Sequence, residues 1–369
     1  MIKLAKPVIS EEIIDKVVSV LRSGNLVQGQ YVRLFEEALQ DYLGVENAII
    51  VSSGTAALHL ALLALDIQAG DEVIVPAFTF PATANVVENV GAKPVLVDIS
   101  LSDYCLDSAR IEGAITKKTK AIIVVHEFGQ AGDMGKIVGI ARKHNLYLIE
   151  DAACAIGTRF DNRPVGAFGS MGCFSFHPRK IITTGEGGAV VTNDTALAEK
   201  INALRNHGLT SSGANDFSYA GLNYRMTDFQ AVMGYYQLSG LEDDIRKRVH
   251  LARKYRETLS VFDWLKLPEI FENRRHIYQT FHVLLEDNLD RGQFIAHLKS
   301  NGIEANIGAQ GLHILPFFKA KYGYAPSDFP QASLAFQHGL ALPIGAHVGK
   351  GDIDFIAETM DAIHHHLMN

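Results

Sequence analysis

The stretch Cys173-Phe-Ser-Phe-His-Pro-Arg-Lys-Ile-Ile-Thr-Thr-Gly-Glu-Gly-Gly188 joins two short apolar runs through a lysine and a glycine-rich turn. Both runs, Gly172 to Phe176 and Gly188 to Thr192, have the length of buried strands. In an α/β fold, ligands bind beyond the strand ends, where burial can lower the pKa of a lysine and make its amine nucleophilic. The stretch therefore predicts Schiff-base chemistry at Lys180, with an ordinary surface lysine beside a turn as the alternative.

Around this stretch, short apolar runs alternate with helical patterns from residue 48 to residue 192. Segments of period 3.6 between the runs predict crossover helices. This alternation predicts an α/β fold with a mostly parallel central sheet between helices. The predicted strands are Ala48–Val51, Glu72–Pro76, Pro94–Asp98, Ala121–Val125, Leu146–Asp151, Gly172–Phe176 and Gly188–Thr192.

The pattern changes after Asn193 to longer helical stretches and then to a mixed helix and strand pattern. A chain of 369 residues is long enough for two domains. We expect a large α/β domain over residues 1–240, with the N-terminal segment included, and a small C-terminal α+β domain over residues 241–369.

Composition excludes several classes of protein. Hydrophobic residues make up 47% of the chain and charged residues 20%, as in globular proteins, and the net charge of −7 offers no basic surface for nucleic acid or anionic lipid. The three cysteines have no C-x-x-C spacing, and the run His364 to His366 has no spaced partners, so we expect no metal. The chain has no signal-type segment or membrane-length apolar run, which predicts a cytoplasmic protein.

Three further elements favour a bound cofactor. Asp151 ends an apolar strand and could keep a pyridinium nitrogen protonated, or could simply cap a turn. The residues Ser52 to Ala57 open an apolar helix whose N-terminus could bind a phosphate, or carry only a helix cap. Phe80 follows a strand end and could stack on a planar ring, or pack in the core.

Taken together, these elements resemble the DegT/StrS-type nucleotide-sugar aminotransferases, from Asn25 to the Leu342-Pro-Ile turn. The resemblance implies fold type I of the aspartate aminotransferase superfamily, pyridoxal 5′-phosphate as the cofactor, and a homodimer with shared active sites. The motifs that carry it are Ser53-Gly-Thr-Ala, Pro76-Ala-Phe-Thr-Phe, Glu150-Asp-Ala-Ala, Ser175-Phe-His-Pro-Arg-Lys, Gly185-Glu-Gly-Gly, Leu204-Arg-Asn-His-Gly and Gly221-Leu-Asn-Tyr-Arg-Met.

The resemblance also implies roles for single residues. Lys180 would form the internal aldimine and carry the proton between the donor and the cofactor. Asp151 would pair with the pyridine nitrogen, and Phe80 would cover the ring. The phosphate would be held by small and polar residues: Gly54, Thr55, Ser175 and the partner subunit's Asn223.

Substrate residues and two departures complete the candidate site. Arg225 is a candidate for binding a substrate carboxylate, and His276 and Tyr278 are candidates for the sugar side. Cys154 stands where the family commonly has Gln or His, so its contact with the ring oxygen is open, and a small buried apolar group is the alternative. Glu127 replaces an expected apolar residue and either faces the acceptor or is solvated.

The predicted reaction is ping-pong amino transfer from an amino acid, with L-glutamate as the expected donor, to a keto group on a nucleotide-linked deoxysugar. This reaction would serve deoxyaminosugar and polysaccharide biosynthesis. A pyridoxal-phosphate-dependent sugar dehydratase or lyase is one alternative, but dehydrating relatives have histidine where this chain has Lys180. A non-catalytic regulator on the same fold is the other alternative, and the intact pair of Lys180 and Asp151 favours the enzyme.

Overall fold

A computed structural model describes residues 1–210 and 215–368. The strands are β1 Asn47–Val51, β2 Glu72–Pro76, β3 Phe78–Thr79, β4 Lys93–Val97, β5 Thr119–Val125, β6 Tyr147–Asp151, β7 Arg159–Phe160, β8 Arg163–Pro164, β9 Met171–Ser175, β10 Gly188–Thr192, β11 Leu265–Lys266, β12 Arg274–Arg275, β13 Phe281–Leu285, β14 Gln310–Gly311 and β15 Gly339–Leu342. The α-helices are α1 Glu11–Ser23, α2 Gln30–Leu43, α3 Gly54–Ala64, α4 Ala82–Asn89, α5 Ser108–Ala114, α6 Met134–Lys143, α7 Thr195–Arg205, α8 Asp228–Ser239, α9 Leu241–Leu259, α10 Arg291–Ser300, α11 Pro316–Tyr322, α12 Pro330–His338 and α13 Lys350–Met368.

The central sheet has the strand order β1-β10-β9-β6-β5-β2-β4. Strands β9, β6, β5, β2 and β4 run parallel, whereas β10 pairs antiparallel with both β9 and β1. Each strand predicted from the sequence forms a strand here, with ends displaced by at most two residues. The expected mostly parallel central sheet is therefore confirmed.

Helices cover both faces of this sheet because its strands are apolar throughout. Two hydrophobic clusters form, one containing residues of α3 and α4 and the other containing residues of α2, α6 and α8. Burial of both faces is typical of parallel sheets and explains why the strands read as continuous apolar runs instead of alternating ones.

A second sheet lies in the C-terminal part and has the order β11-β13-β15. It packs with α9, α10 and α13 around a third hydrophobic cluster that includes Tyr255, Phe281 and Phe294. A short pairing of β14 with β3 connects the segment around Gln310 to the segment that precedes Phe80. Among the helices of residues 1–210 and 215–368, none has the length and apolarity that a membrane span requires.

The side chain of Glu150 holds the loop over residues 166–169, which precedes β9. Its buried carboxylate accepts hydrogen bonds from the backbone N–H groups of Gly166, Phe168 and Gly169 at 2.6–2.8 Å. Its Oε2 also lies 3.0 Å from Nε2 of the buried His126. Because neighbouring strand residues point to opposite faces, this arrangement directs the side chain of Asp151 to the other face.

Candidate active site

The parallel strands β5, β6 and β9 end at the same edge of the sheet. Register pairs Val125 with Asp151 and Asp151 with Cys173, so the turn after β5, the end of β6 and the segment after β9 lie side by side. This is the edge at which α/β sheets bind ligands. The structure therefore brings Asp151 and the loop that carries Lys180 into one site.

Asp151 is buried at the end of β6, with 5% of its surface exposed. Its Oδ2 accepts a hydrogen bond from Oγ1 of Thr83 at 2.8 Å, and its Oδ1 accepts one from the N–H of Ala153 at 3.2 Å. Burial raises the pKa of this carboxyl above its ordinary value, while the hydrogen bond from Thr83 and the charge of Lys180 oppose the rise. The carboxylate of Asp151 is thus held in one orientation and is poorly solvated, which favours binding of a cationic group.

The amine of Lys180 lies within the same site. Its Nζ donates a hydrogen bond to Sγ of Cys154 at 3.0 Å. Burial lowers the pKa of Lys180, but Cys154, Asp151 and Glu127 outweigh burial, and the pKa is raised overall. The sequence-based expectation of a lowered pKa is wrong because these acidic neighbours surround the amine.

The N-terminus of α3 meets the end of β9. Oγ of Ser53 caps the helix by accepting a hydrogen bond from the N–H of Ala56 at 3.0 Å. A Cβ atom at Gly54 would lie 2.8 Å from Cβ of Ser175, and one at Gly188 would lie 2.5 Å from the carbonyl carbon of Ser53. These glycines let a helix N-terminus approach Ser175 closely, which is the geometry of an anion-binding site.

Glu127 lies in a one-turn 3₁₀ helix, Glu127–Gly129, that is separated from β5 by His126, and it is 5% exposed. The solvated alternative is therefore wrong. Its Oε2 has no hydrogen-bond partner among the residues that the structure describes. Burial raises the pKa of Glu127 to about 7, against the effect of Lys180. Glu127 also lines a small cavity together with Tyr104, Gln130 and His276.

Replacing Glu127 by glutamine is expected to remove a pH-dependent loss of stability. A carboxyl whose pKa is raised by folding stabilises the protein fully below the unfolded pKa, and this stabilisation is lost as the pH rises through the folded pKa. A rise from 4.5 to about 7 corresponds to about 3 kcal/mol. Relative to E127Q, the wild type should lose about this much unfolding free energy between roughly pH 4.5 and pH 8.

Urea unfolding of both proteins at the two pH values measures this difference, and the other titrating groups cancel in the comparison. Parallel pH dependence of the wild type and E127Q would contradict the raised pKa.

His276 and Tyr278 pack against the turn that contains Glu127. Their rings stack with centroids 3.9 Å apart, and Nδ1 of His276 lies 3.0 Å from the carbonyl oxygen of Gly129. Burial lowers the pKa of His276 to about 3, so its imidazole is neutral at physiological pH. His276 and Tyr278 therefore lie beside the edge of the sheet where β5, β6 and β9 end. Their contact with the sugar stays a prediction.

Four predicted residues, Thr55, Phe80, Asn223 and Arg225, lie on exposed or partly exposed surface of the single chain. The side chain of Phe80 is 69% exposed. Nε of Arg225 donates a hydrogen bond to Oδ1 of Asn223 at 3.1 Å, and its NH1 donates one to Oδ1 of Asn206 at 3.0 Å. Ring stacking by Phe80, phosphate binding by Asn223 and Thr55, and carboxylate binding by Arg225 stay predictions.

Sequence reasoning missed Thr83, the hydrogen-bond donor to Asp151. Thr83 lies in α4, and 68 residues separate it from its acceptor. The only local signal is its position four residues after the buried Thr79, which lies in β3. No spacing rule connects such a residue to a carboxylate on another element.

A comparison with protein-family models matches residues 7–361 to the DegT/DnrJ/EryC1/StrS aminotransferase family. The chain belongs to this aminotransferase family. It is 40% identical to a GDP-perosamine synthase of Caulobacter vibrioides, over 91% of this chain and 90% of that protein. It is 35% identical to the spore coat polysaccharide biosynthesis protein SpsC of Bacillus subtilis, over 96% and 95%.

Solved structures agree with this assignment. The Streptococcus pneumoniae protein Spr1654 in its PLP form superposes with a TM-score of 0.95, at 28% identity and with full coverage of both chains. Fold type I, membership of the aminotransferase family and pyridoxal 5′-phosphate as the cofactor, all expected from the sequence, are therefore confirmed.

The residues of this aminotransferase site fit pyridoxal 5′-phosphate. The cofactor carries an aldehyde, a basic ring nitrogen and a phosphate, and the site has a chemically matched group for each. Lys180 offers the amine, Asp151 offers a buried carboxylate, and Ser175 lies against the glycine-lined N-terminus of α3, where backbone N–H groups can bind a phosphate.

Proposed function

We propose that this chain transfers an amino group from L-glutamate to a keto group on a nucleotide-linked deoxysugar by a ping-pong mechanism. The observation that carries the proposal is the placement of the Lys180 amine beside the buried Asp151 at the end of parallel strands. The naming of the 40% identical relative as a GDP-perosamine synthase supports an acceptor of the nucleotide-sugar class.

Each residue of the site has a distinct task in this proposal. Pyridoxal phosphate, when bound, supplies the electron sink for the reaction. Lys180 would take the proton from the α-carbon of the amino donor and deliver it to C4′ of the cofactor, since its amine lies next to the other groups of the site. Asp151, oriented by Thr83, holds a proton on the ring nitrogen. Ser175 and the N-terminus of α3 bind the phosphate.

The presence of Lys180 supports amino transfer over sugar dehydration, since dehydration in the family goes with histidine at this position. A protein that only binds the cofactor has no use for a proton carrier, so the same lysine also speaks against a purely regulatory role.

We further propose that the enzyme is a cytoplasmic homodimer in which the partner subunit's Asn223 completes the phosphate site. The exposure of Asn223 and of Phe80 in the single chain supports this, because both side chains are open to a second subunit. We retain the division into a large domain over residues 1–240 and a small domain over residues 241–369. The third hydrophobic cluster, which contains residues of α9, α10 and α13, supports it.

The visible absorption spectrum of the purified protein with pyridoxal phosphate tests this function. We expect a yellow band from the lysine-bound cofactor that bleaches when L-glutamate is added without any acceptor. Bleaching by another amino acid but not by L-glutamate would correct the donor. A band that no amino donor bleaches would reject amino transfer, and the absence of a band would reject cofactor attachment at Lys180.

A further inference from the structure

The side chain of Gln279 forms hydrogen bonds to the backbone on both sides of Lys180. Oε1 of Gln279 accepts a hydrogen bond from the N–H of Ile181 at 2.9 Å, and Nε2 of Gln279 donates one to the carbonyl oxygen of Arg179 at 2.6 Å. The amide of Gln279 thus pairs with the residue before and the residue after the lysine. These bonds span about 100 positions of sequence. They connect the loop between β9 and β10 that carries Lys180, called the lysine loop below, to the segment before β13.

The position of Gln279 is itself fixed by a buried arginine. The NH1 group of Arg248, in α9, donates hydrogen bonds to the carbonyl oxygens of Tyr278 at 3.1 Å, Gln279 at 3.3 Å and Ile344 at 3.3 Å. Both Arg248 and Gln279 are at least nine-tenths buried. Water therefore competes little for these bonds, and the amide of Gln279 has a defined orientation.

The lysine needs such support because its side chain is long and flexible. Four rotatable bonds separate its Cα from the reacting amine, and a displacement of the reacting group by about 1 Å can cost about 10²-fold in rate. The other bonds at this residue are the backbone N–H to the carbonyl of His177 and the contact of Nζ with Cys154. A fixed backbone is a condition for returning the amine to the same place in each turnover.

We propose that Gln279 is a positioning residue that fixes the backbone of Lys180 for proton transfer, with Arg248 holding Gln279 in place. The inference rests on the proposed function, because it concerns the proton transfer assigned to Lys180. Gln279 has no reacting atom of its own and acts through the lysine. Its loss should slow the chemical step and leave donor binding unchanged.

A second glutamine, Gln237 of α8, bonds to the same loop and provides the matched control. Oε1 of Gln237 accepts a hydrogen bond from the N–H of Thr183 at 3.1 Å, and its Nε2 donates one to the carbonyl oxygen of Thr183 at 2.6 Å. Gln237 therefore makes the same kind of bond pair three residues beyond Lys180. Its removal loosens the loop without releasing either neighbour of the lysine.

The test compares the holoenzymes of Gln279→Met and Gln237→Met with the wild type. For Gln279→Met we expect kcat of the glutamate reaction to fall by about 10- to 100-fold while KM changes less than about twofold. For Gln237→Met we expect kcat to stay within about threefold of the wild type. Hydrogen exchange of the full chain should show faster exchange at Ile181 in the first variant and at Thr183 in the second.

Two outcomes would overturn the proposal. One is a kcat of Gln279→Met within about twofold of the wild type, and the other is an equal loss of kcat in both variants, which would indicate a general structural role of the loop. If Gln279→Met does not fold, Gln279→Glu replaces it, since it keeps the acceptor for Ile181 and loses the donor to Arg179. The wild-type absorption test fails or succeeds independently of these variants, so a failure of the proposed function is distinguishable.

Discussion

Replacing Lys180 by alanine is expected to lower kcat for amino transfer by about 10⁴-fold, the largest effect of any single change in this chain. The substitution removes both the amine that attaches the cofactor and the base that moves the proton. The yellow band of the lysine-bound cofactor should be absent from the spectrum, while the thermal midpoint stays close to that of the wild type because Lys180 is only partly buried.

Two controls make this result specific. Lys117→Ala removes a lysine from an exposed loop and should leave turnover unchanged. Added methylamine should restore part of the activity of Lys180→Ala, because a free amine can carry the proton in place of the side chain. Turnover of Lys180→Ala within tenfold of the wild type would refute the assigned role.

Asp151→Asn is expected to slow the donor half-reaction by about 10²- to 10³-fold, the second largest effect. Asparagine keeps the size of the side chain and an oxygen that can accept from Thr83, but it lacks the charge that holds a proton on a ring nitrogen. Stopped-flow absorbance after mixing with L-glutamate measures the rate of this half-reaction.

In the cofactor-free protein, the loss of activity of Asp151→Asn should not be accompanied by a loss of stability. Because folding raises the pKa of Asp151, its stabilising contribution is present below the unfolded pKa and is lost as the pH rises through the folded pKa. Above the folded pKa, the neutral amide should therefore leave the thermal midpoint of the cofactor-free protein unchanged or higher. Thr83→Val serves as a control that removes only the hydrogen bond to Asp151. It should slow the donor half-reaction less than Asp151→Asn does. A slow half-reaction accompanied by a lower midpoint of the cofactor-free variant would indicate misfolding and contradict the electrostatic role.

Local sequence patterns were sufficient for the central sheet and for the convergence of Asp151 with Lys180. The reason is geometric: apolar runs identify strands, and the carboxyl ends of parallel strands share one edge. The hydrogen bonds from Thr83 and Gln279 could not be predicted, because each depends on how a distant helix or loop packs against that edge.

The direction in which the pKa of Lys180 shifts could not be predicted from the sequence for the same reason. A desolvated lysine at a strand end predicts a lowered pKa, and burial does act in that direction here. The neighbours that reverse it come from two other segments of the chain: Asp151 and Cys154 from the end of β6 and the turn that follows it, and Glu127 from the turn after β5. Their distances to the amine are fixed only in the folded protein.

The antiparallel pairing of β10 with β9 has a consequence for how this protein can evolve. Register places Ser175 opposite Gly188, so the lysine loop begins and ends at one rung of the ladder. Surface loops ordinarily accept insertions at little thermodynamic cost. Here an added residue would shift Lys180 along a loop whose two ends are locked together, away from Asp151 and Ser175. The number of residues between β9 and β10 is therefore as much a requirement of the site as the lysine itself.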